Sequence, residues 1–208
     1  MSKADNNLTD TVVSRLCHDI ASPIGAAKLG LEAVSSKQKS EIISAVASSL
    51  EKAITVINVF RLTASLSAFS WDQVRKTIFE YASSKNIDIK LDIATQLSDS
   101  LVKCVFIMLV ILIGSSRKRC SFKIYKKFED RFSVCLEGDG EFFLSSSDLA
   151  KLASDSEENS SKNALANYLK KIFRNSNLDY VFEELSGSKV SLIISQKQAL
   201  ESNTYCST

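Results

Sequence analysis

Apolar residues in the first part of the chain recur every three or four positions. Over about residues 8–34 they fall at Val13, Leu16, Ile20, Ile24, Ala27, Leu31 and Val34, the spacing of one face of an α-helix. The polar stretch Ser35-Ser-Lys-Gln-Lys-Ser follows. A second helical stripe then covers about residues 40–65, at Ile42, Val46, Leu50, Ile54, Ile57, Phe60 and Ala64. So short a connection makes the two helices antiparallel neighbours. Val56, Val59 and Leu62 add apolar surface off the second stripe. Two helices cannot cover that much apolar surface between them. A second copy of the chain, completing a four-helix bundle, would meet the demand.

After about Ala68 the pattern changes. Residues 71–83 are expected to be helical, and Ile87-Asp-Ile-Lys-Leu-Asp-Ile alternates as a strand does. Residues 98–113 are apolar almost all round and read as a buried helix. Residues 121–128 and 131–136 are expected to be strands joined by a tight turn at Glu129-Asp130. A short helix at 148–154, a polar loop at 155–161 and a helix at 163–173 follow. Residues 178–185 and 189–195 form a hairpin across Ser186-Gly187-Ser188, and the tail is expected to fray. This order predicts an α+β chain. Residues 1–68 are a helical hairpin for dimerisation, 69–200 a small α/β sandwich with one sheet covered by helices, and 201–208 a tail.

Composition narrows the function classes. With 45% hydrophobic and 24% charged residues among 208, the chain is expected to fold as a soluble globule. Its 26 basic and 24 acidic side chains leave a net charge of +2, which gives no reason to expect nucleic acid or an anionic membrane as partner. The most apolar run, 104–113, is well short of the ~20 residues of a membrane span. Met1-Ser-Lys-Ala-Asp-Asn-Asn has no apolar signal core, so a cytoplasmic location is expected. The five cysteines, Cys17, Cys104, Cys120, Cys135 and Cys206, include no Cys-x-x-Cys pair. They are expected to be free thiols, with no metal bound.

The chain has one histidine and one proline, and they stand together in Arg15-Leu-Cys-His18-Asp19-Ile-Ala-Ser22-Pro23. At ~100° per residue, His18 points nearly opposite to the apolar stripe and so toward solvent. A solvent-facing imidazole can offer a ring-nitrogen lone pair as a nucleophile. Its neighbours on that face, Ser14, Ala21, Ser22 and Gly25, are all small. They leave room for a partner protein to bring an active site up to the ring. Asp19 lies a quarter-turn around, placed to orient the ring or to act as an acid–base group. Arg15, one turn back, is placed to meet a phosphate oxygen, and Lys28 to frame the docking face. Pro23 inside a helix costs about 3 kcal/mol and Gly25 about 1 kcal/mol relative to alanine. Both costs fall beside the histidine, which marks the segment as a site.

His18-Asp19-x-x-Ser22-Pro23, followed by a helical hairpin, resembles the phosphoacceptor region of bacterial sensor histidine kinases, with its His-[Glu/Asp]-x-x-x-Pro pattern. Over Arg15 to Ala27 the chain looks more specifically like the ChpT-type histidine phosphotransferases. That resemblance implies a kinase-like fold with a degenerate ATP-binding domain and no kinase activity. It implies that His18 carries a phosphoryl group from the receiver domain of a hybrid histidine kinase to response regulators, a CtrA-type DNA-binding regulator among them, in a cell-cycle phosphorelay. It also implies a homodimer with no cofactor of its own, the Mg²⁺ being on the partner receiver.

The rest of the chain departs from an active kinase. Such an enzyme needs asparagines on its buried helix to hold magnesium and nucleotide, and residues 101–113 contain no asparagine and no acid. Lys103 is the one large polar side chain there. The nearest match to a phosphate-approaching Asp-x-Gly-x-Gly strand end is Glu137-Gly138-Asp139-Gly140, which reads as a plain turn. No ATP is therefore expected to bind. An active kinase with a divergent ATP site, or a non-catalytic dimerisation and regulator-binding module, are the alternative readings. The basic cluster Arg117, Lys118, Arg119, Lys123, Lys126 and Lys127 is expected to be a solvated edge, and Phe142-Phe143 to be core.

Overall fold

The computed structural model describes residues 3–32, 39–64, 70–93, 97–117, 120–125, 133–142, 147–153 and 164–196. Two long helices come first, α1 (Lys3–Glu32) and α2 (Lys39–Ala64). α1 runs through Pro23 without a break. The helices pack closely. A Cβ at Gly30 would lie 2.6 Å from Cγ2 of Val46, so only glycine permits this approach. Ala27, Val46 and Ala53 are buried on the inner side of the hairpin.

The two apolar stripes are only partly covered. Val13, Ile24 and Leu31 on α1, and Leu50, Ile54 and Ile57 on α2, are 44% to 60% exposed, and so is Ile43 beside the second stripe. Val34 lies outside the described residues. Periodicity locates a helix face but not what covers it, and one copy of the chain leaves these faces bare. The surface off the second stripe does find cover. Val59 enters one core with Val74 and Ile78, and Val56 and Leu62 pack against it; Phe60 of the second stripe and Leu16 of the first join them there. By length and composition, Ser40–Ala64 is also long and apolar enough to cross a membrane. However, Glu51 and Lys52 stand exposed near its middle, where a lysine in a bilayer costs ~2.5–3.5 kcal/mol.

Then come α3 (Trp71–Ser84), β1 (Asp88–Asp92), α4 (Asp99–Ser115), β2 (Ser121–Tyr125), β3 (Ser133–Asp139), α5 (Ser147–Ala153), α6 (Ala164–Asn175), β4 (Leu178–Leu185) and β5 (Lys189–Gln196). Ser70 caps α3 by accepting a hydrogen bond from the Gln73 N–H at 3.2 Å, which offsets one orphan donor of the first turn. The strands form one sheet in the order β1-β2-β3-β5-β4. β1 and β2 run parallel, and the other pairs run antiparallel. α3, α4 and α6 contact the sheet's strands, and α1 reaches α6. The β4–β5 hairpin turns on Ser186, whose Oγ accepts from the Lys189 N–H at 2.9 Å.

α4 is the centre of the core. All of 101–113 except Lys103 is buried, and Lys103 sets its ammonium over the Tyr168 ring, 5.4 Å from the centroid. Between α5 and α6, the buried Asp148 carboxylate accepts a hydrogen bond from the Ala166 N–H at 3.0 Å. It caps the start of α6 from a different helix.

Gly138 differs from expectation. It is a buried residue inside β3, where a plain turn was expected. A Cβ there would lie 2.6 Å from the Phe122 ring and 2.9 Å from Phe142. Those rings meet at an interplanar angle of 61°, so the glycine is needed by packing and not by a turn. Gly140 has φ +137° and turns the chain past Cys120. The expected turn at 129–130 and loop at 155–161 lie outside the described residues.

Candidate functional site

His18 sits on α1 with its side chain 88% exposed. The wheel explains this. Ala27, nine residues on and half a turn away at ~100° per residue, is buried against α2. The imidazole therefore faces the other way, as expected from the sequence. Its Nδ1 lies 3.2 Å from Oδ1 of Asp19. In the tautomer that carries its proton on Nδ1, the ring donates to that carboxylate. The lone pair is then on Nε2.

The small-residue surround is open where the residues are described. Ala21 and Ser22 are exposed. A Cβ added at Gly25 would meet nothing within 4 Å. Lys28 lies on the same side and pairs loosely with Glu32, 3.8 Å away. Ser14 and Arg15 belong to α1, but their side chains lie outside the described residues. Among the residues described, nothing covers the His18 ring.

Leu29 belongs to this face too, and sequence reasoning missed it. It is 68% exposed and lies eleven residues beyond His18, about 20° off in direction and ~16 Å along the axis. The wheel that places His18 also places Leu29. It escaped notice because it is an apolar residue off the apolar stripe.

The Phe122 and Phe142 rings fill the space over Gly138. Glu137 accepts a hydrogen bond from the Tyr125 hydroxyl at 2.5 Å. α4 does contain one acid, Asp99 in its first turn, just ahead of the stretch read from the sequence. Phe142 is core, as expected; Phe143 lies outside the described residues. In the basic cluster, Arg117 pairs with Glu141 at 3.5 Å and Lys123 lies over the Tyr125 ring. Lys118, Arg119, Lys126 and Lys127 lie outside the described residues.

Cys17, Cys104, Cys120 and Cys135 are free thiols, and of these only Cys17 is exposed. Burial pushes the Cys104 thiol up to about 12. Cys206 lies outside the described residues. Among the described residues, no three His, Cys, Asp or Glu side chains converge to hold a metal ion.

This architecture is similar to that of a solved bacterial phosphotransferase. The TM-score is 0.74 over 94% of this chain and 98% of that one, at 18% identity. The histidine kinase AdeS of Acinetobacter baumannii matches at TM-score 0.49 and 12% identity, over 86% of this chain and 97% of that one. A histidine kinase from Burkholderia phymatum STM815 matches at 0.41 and 14%, over 93% and 94%. No protein-family model matches the chain, and no curated protein matches it in sequence. The likeness to the phosphotransferase shows the fold, an α+β chain in which a helical hairpin leads into a helix-covered mixed sheet.

Proposed function

We propose that this chain is a histidine phosphotransferase of a bacterial phosphorelay, of the ChpT type. It carries a phosphoryl group on His18 between the receiver domain of a hybrid histidine kinase and response regulators. The observation that carries this reading is the His18 environment: an exposed ring, in contact through Nδ1 with Asp19, beside the small residues Ala21, Ser22 and Gly25. An enzyme with its own substrate pocket would enclose its nucleophile, whereas a carrier must offer it.

The chemistry runs in two reversible steps. The Nε2 lone pair attacks the phosphorus of an aspartyl phosphate. The N–P bond forms, the P–O bond breaks, and the receiver carboxylate leaves. The phosphorylated ring keeps its Nδ1 proton and carries positive charge, which the Asp19 carboxylate offsets. A second receiver carboxylate then attacks phosphorus, the N–P bond breaks, and neutral His18 is restored. Mg²⁺ on the receiver neutralises charge on the transferring group. The carrier supplies no cofactor and uses no ATP, a reading supported by the aromatic filling over Gly138. The working form is a cytoplasmic homodimer whose four-helix bundle buries the bare stripes of α1 and α2.

Phosphoramidate phosphorylates accessible histidines directly, and it tests the carrier reading. We expect one phosphohistidine per chain, at His18 Nε2 by phosphorus NMR, which a receiver domain of the matching relay then discharges. A stable phosphohistidine that no receiver domain of the host discharges would contradict the reading.

A further inference from the structure

Neither transfer step draws on the α/β sandwich, yet the sandwich takes hold of α1 within two residues of His18. Among the described residues of α1, only Ala27 is buried. It lies nine residues beyond His18, ~14 Å along the axis. Gly30, which meets Val46, is farther still. On the other side of His18, Val13 is 50% exposed. The hairpin's own packing therefore holds α1 firmly only at a distance from the histidine. Pro23 weakens even that hold. It has no N–H to donate to the Asp19 carbonyl, so the helical ladder loses a rung between His18 and Ala27.

Leu16 supplies the nearby hold. It is the one described residue of α1 that packs against the core shared by α3, α4, α6 and the sheet. Of the sandwich's elements, α1 chiefly meets α6. α6 is itself fixed from two sides. Lys103 of α4 lies over its Tyr168 ring, and Asp148 of α5 accepts from its Ala166 N–H. Leu16 precedes His18 by two residues, which is ~3 Å along the axis and about 200° around it. A side chain gripped by the core at that place turns the histidine away from the sandwich and sets its height.

We propose that Leu16 is a positioning residue for phosphotransfer: through it the α/β sandwich fixes the height and direction of the His18 ring before a docked receiver. This rests on the phosphotransfer reading above. It gives the sandwich a task in the transfer that needs no nucleotide. Phosphoryl transfer depends on the nucleophile standing in line with the bond that breaks, and a misplacement of about 1 Å is enough to slow it steeply.

Leu16→Ala removes the grip and leaves every residue of the outer face in place. At saturating phosphorylated receiver, its phosphoryl uptake should be at least about tenfold slower, with the half-saturating receiver concentration unchanged. Phosphoramidate needs no docked partner and should phosphorylate His18 of the variant at the wild-type rate. Leu16→Met keeps the side chain's volume and should restore transfer. Should Leu16→Ala fail to fold, Leu16→Val takes its place, with a smaller fall in the maximal rate and the same unchanged half-saturation. A Leu16→Ala chain that melts lower but transfers at the full rate overturns the positioning role. So does equal slowing with receiver and phosphoramidate, or a raised half-saturating concentration at an unchanged maximal rate. A wild type that phosphoramidate labels but no receiver domain loads or discharges overturns the proposed function, and this inference with it.

Discussion

Nδ1 of His18 and Oδ1 of Asp19 lie 3.2 Å apart on the outer face of α1. The contact joins neighbours in sequence, and in the tautomer protonated on Nδ1 it leaves the lone pair on Nε2. Asp19→Asn keeps the size of the group and removes its charge. The phosphoimidazolium then loses its counter-charge, and transfer in either direction should slow by ~10²-fold. Thermal stability should change little, because both groups are at the surface. Rapid-quench transfer assays beside a thermal melt make the comparison, and equal transfer rates would remove Asp19 from the mechanism.

Gly30 and Gly25 are predicted to respond in opposite ways. At Gly30 a Cβ would sit 2.6 Å from Val46. Gly30→Ala should destabilise the hairpin by about 1–3 kcal/mol through overpacking. At Gly25 a Cβ meets nothing within 4 Å. Gly25→Ala should stabilise the chain by about 1 kcal/mol from helix propensity. A Gly25→Trp variant should fold normally and block the receiver. Denaturant titration of the alanine variants and receiver transfer by the tryptophan variant check the three outcomes.

Some of this was legible in the sequence, and the reasons differ by residue. The β4 bounds and the exposed, outward His18 follow from local periodicity, which depends only on backbone geometry. The buried α4 follows from a segment with no polar face to offer water. Gly138 was misread because its requirement is tertiary: two rings from distant positions occupy the place of its Cβ. Val13, Ile24 and Leu31 were correctly put on one face, but a pattern does not say whether that face meets the same chain or another. Asp148 gave no signal at all, since its partner, the Ala166 N–H, is on another helix.

The bare seam makes a prediction about assembly. Leu50 and Ile57 are 45% and 44% exposed, so lysine at both leaves the single chain's packing alone. The double variant Leu50→Lys/Ile57→Lys should sediment as a folded monomer with unchanged circular dichroism, whereas the wild type sediments as a dimer. A wild type that is monomeric at all concentrations would refute the bundle.

The cysteines give a pH prediction with a definite sign. Burial raises the Cys104 thiol from 9.0 to about 12, so the folded chain holds that proton more tightly than the unfolded chain. Its contribution to stability is whole below pH 9.0 and is lost as pH rises towards about 12. At about pH 8, a thiol reagent needs an accessible thiolate. It should modify the exposed Cys17 quickly and reach Cys104 only on unfolding, as mass spectrometry of labelled peptides would show. Fast labelling of Cys104 in the native state would contradict its place in the core.

The origin of the phosphoryl group on His18 separates a carrier from a kinase. Purified protein is incubated with radiolabelled phosphorylated receiver domains from its own cell and, separately, with labelled Mg·ATP. Label is expected on His18 from a receiver domain, none from ATP, and none from either source in His18→Ala. Label from ATP would make the chain a kinase, and label from neither source would leave His18 with no role as a carrier.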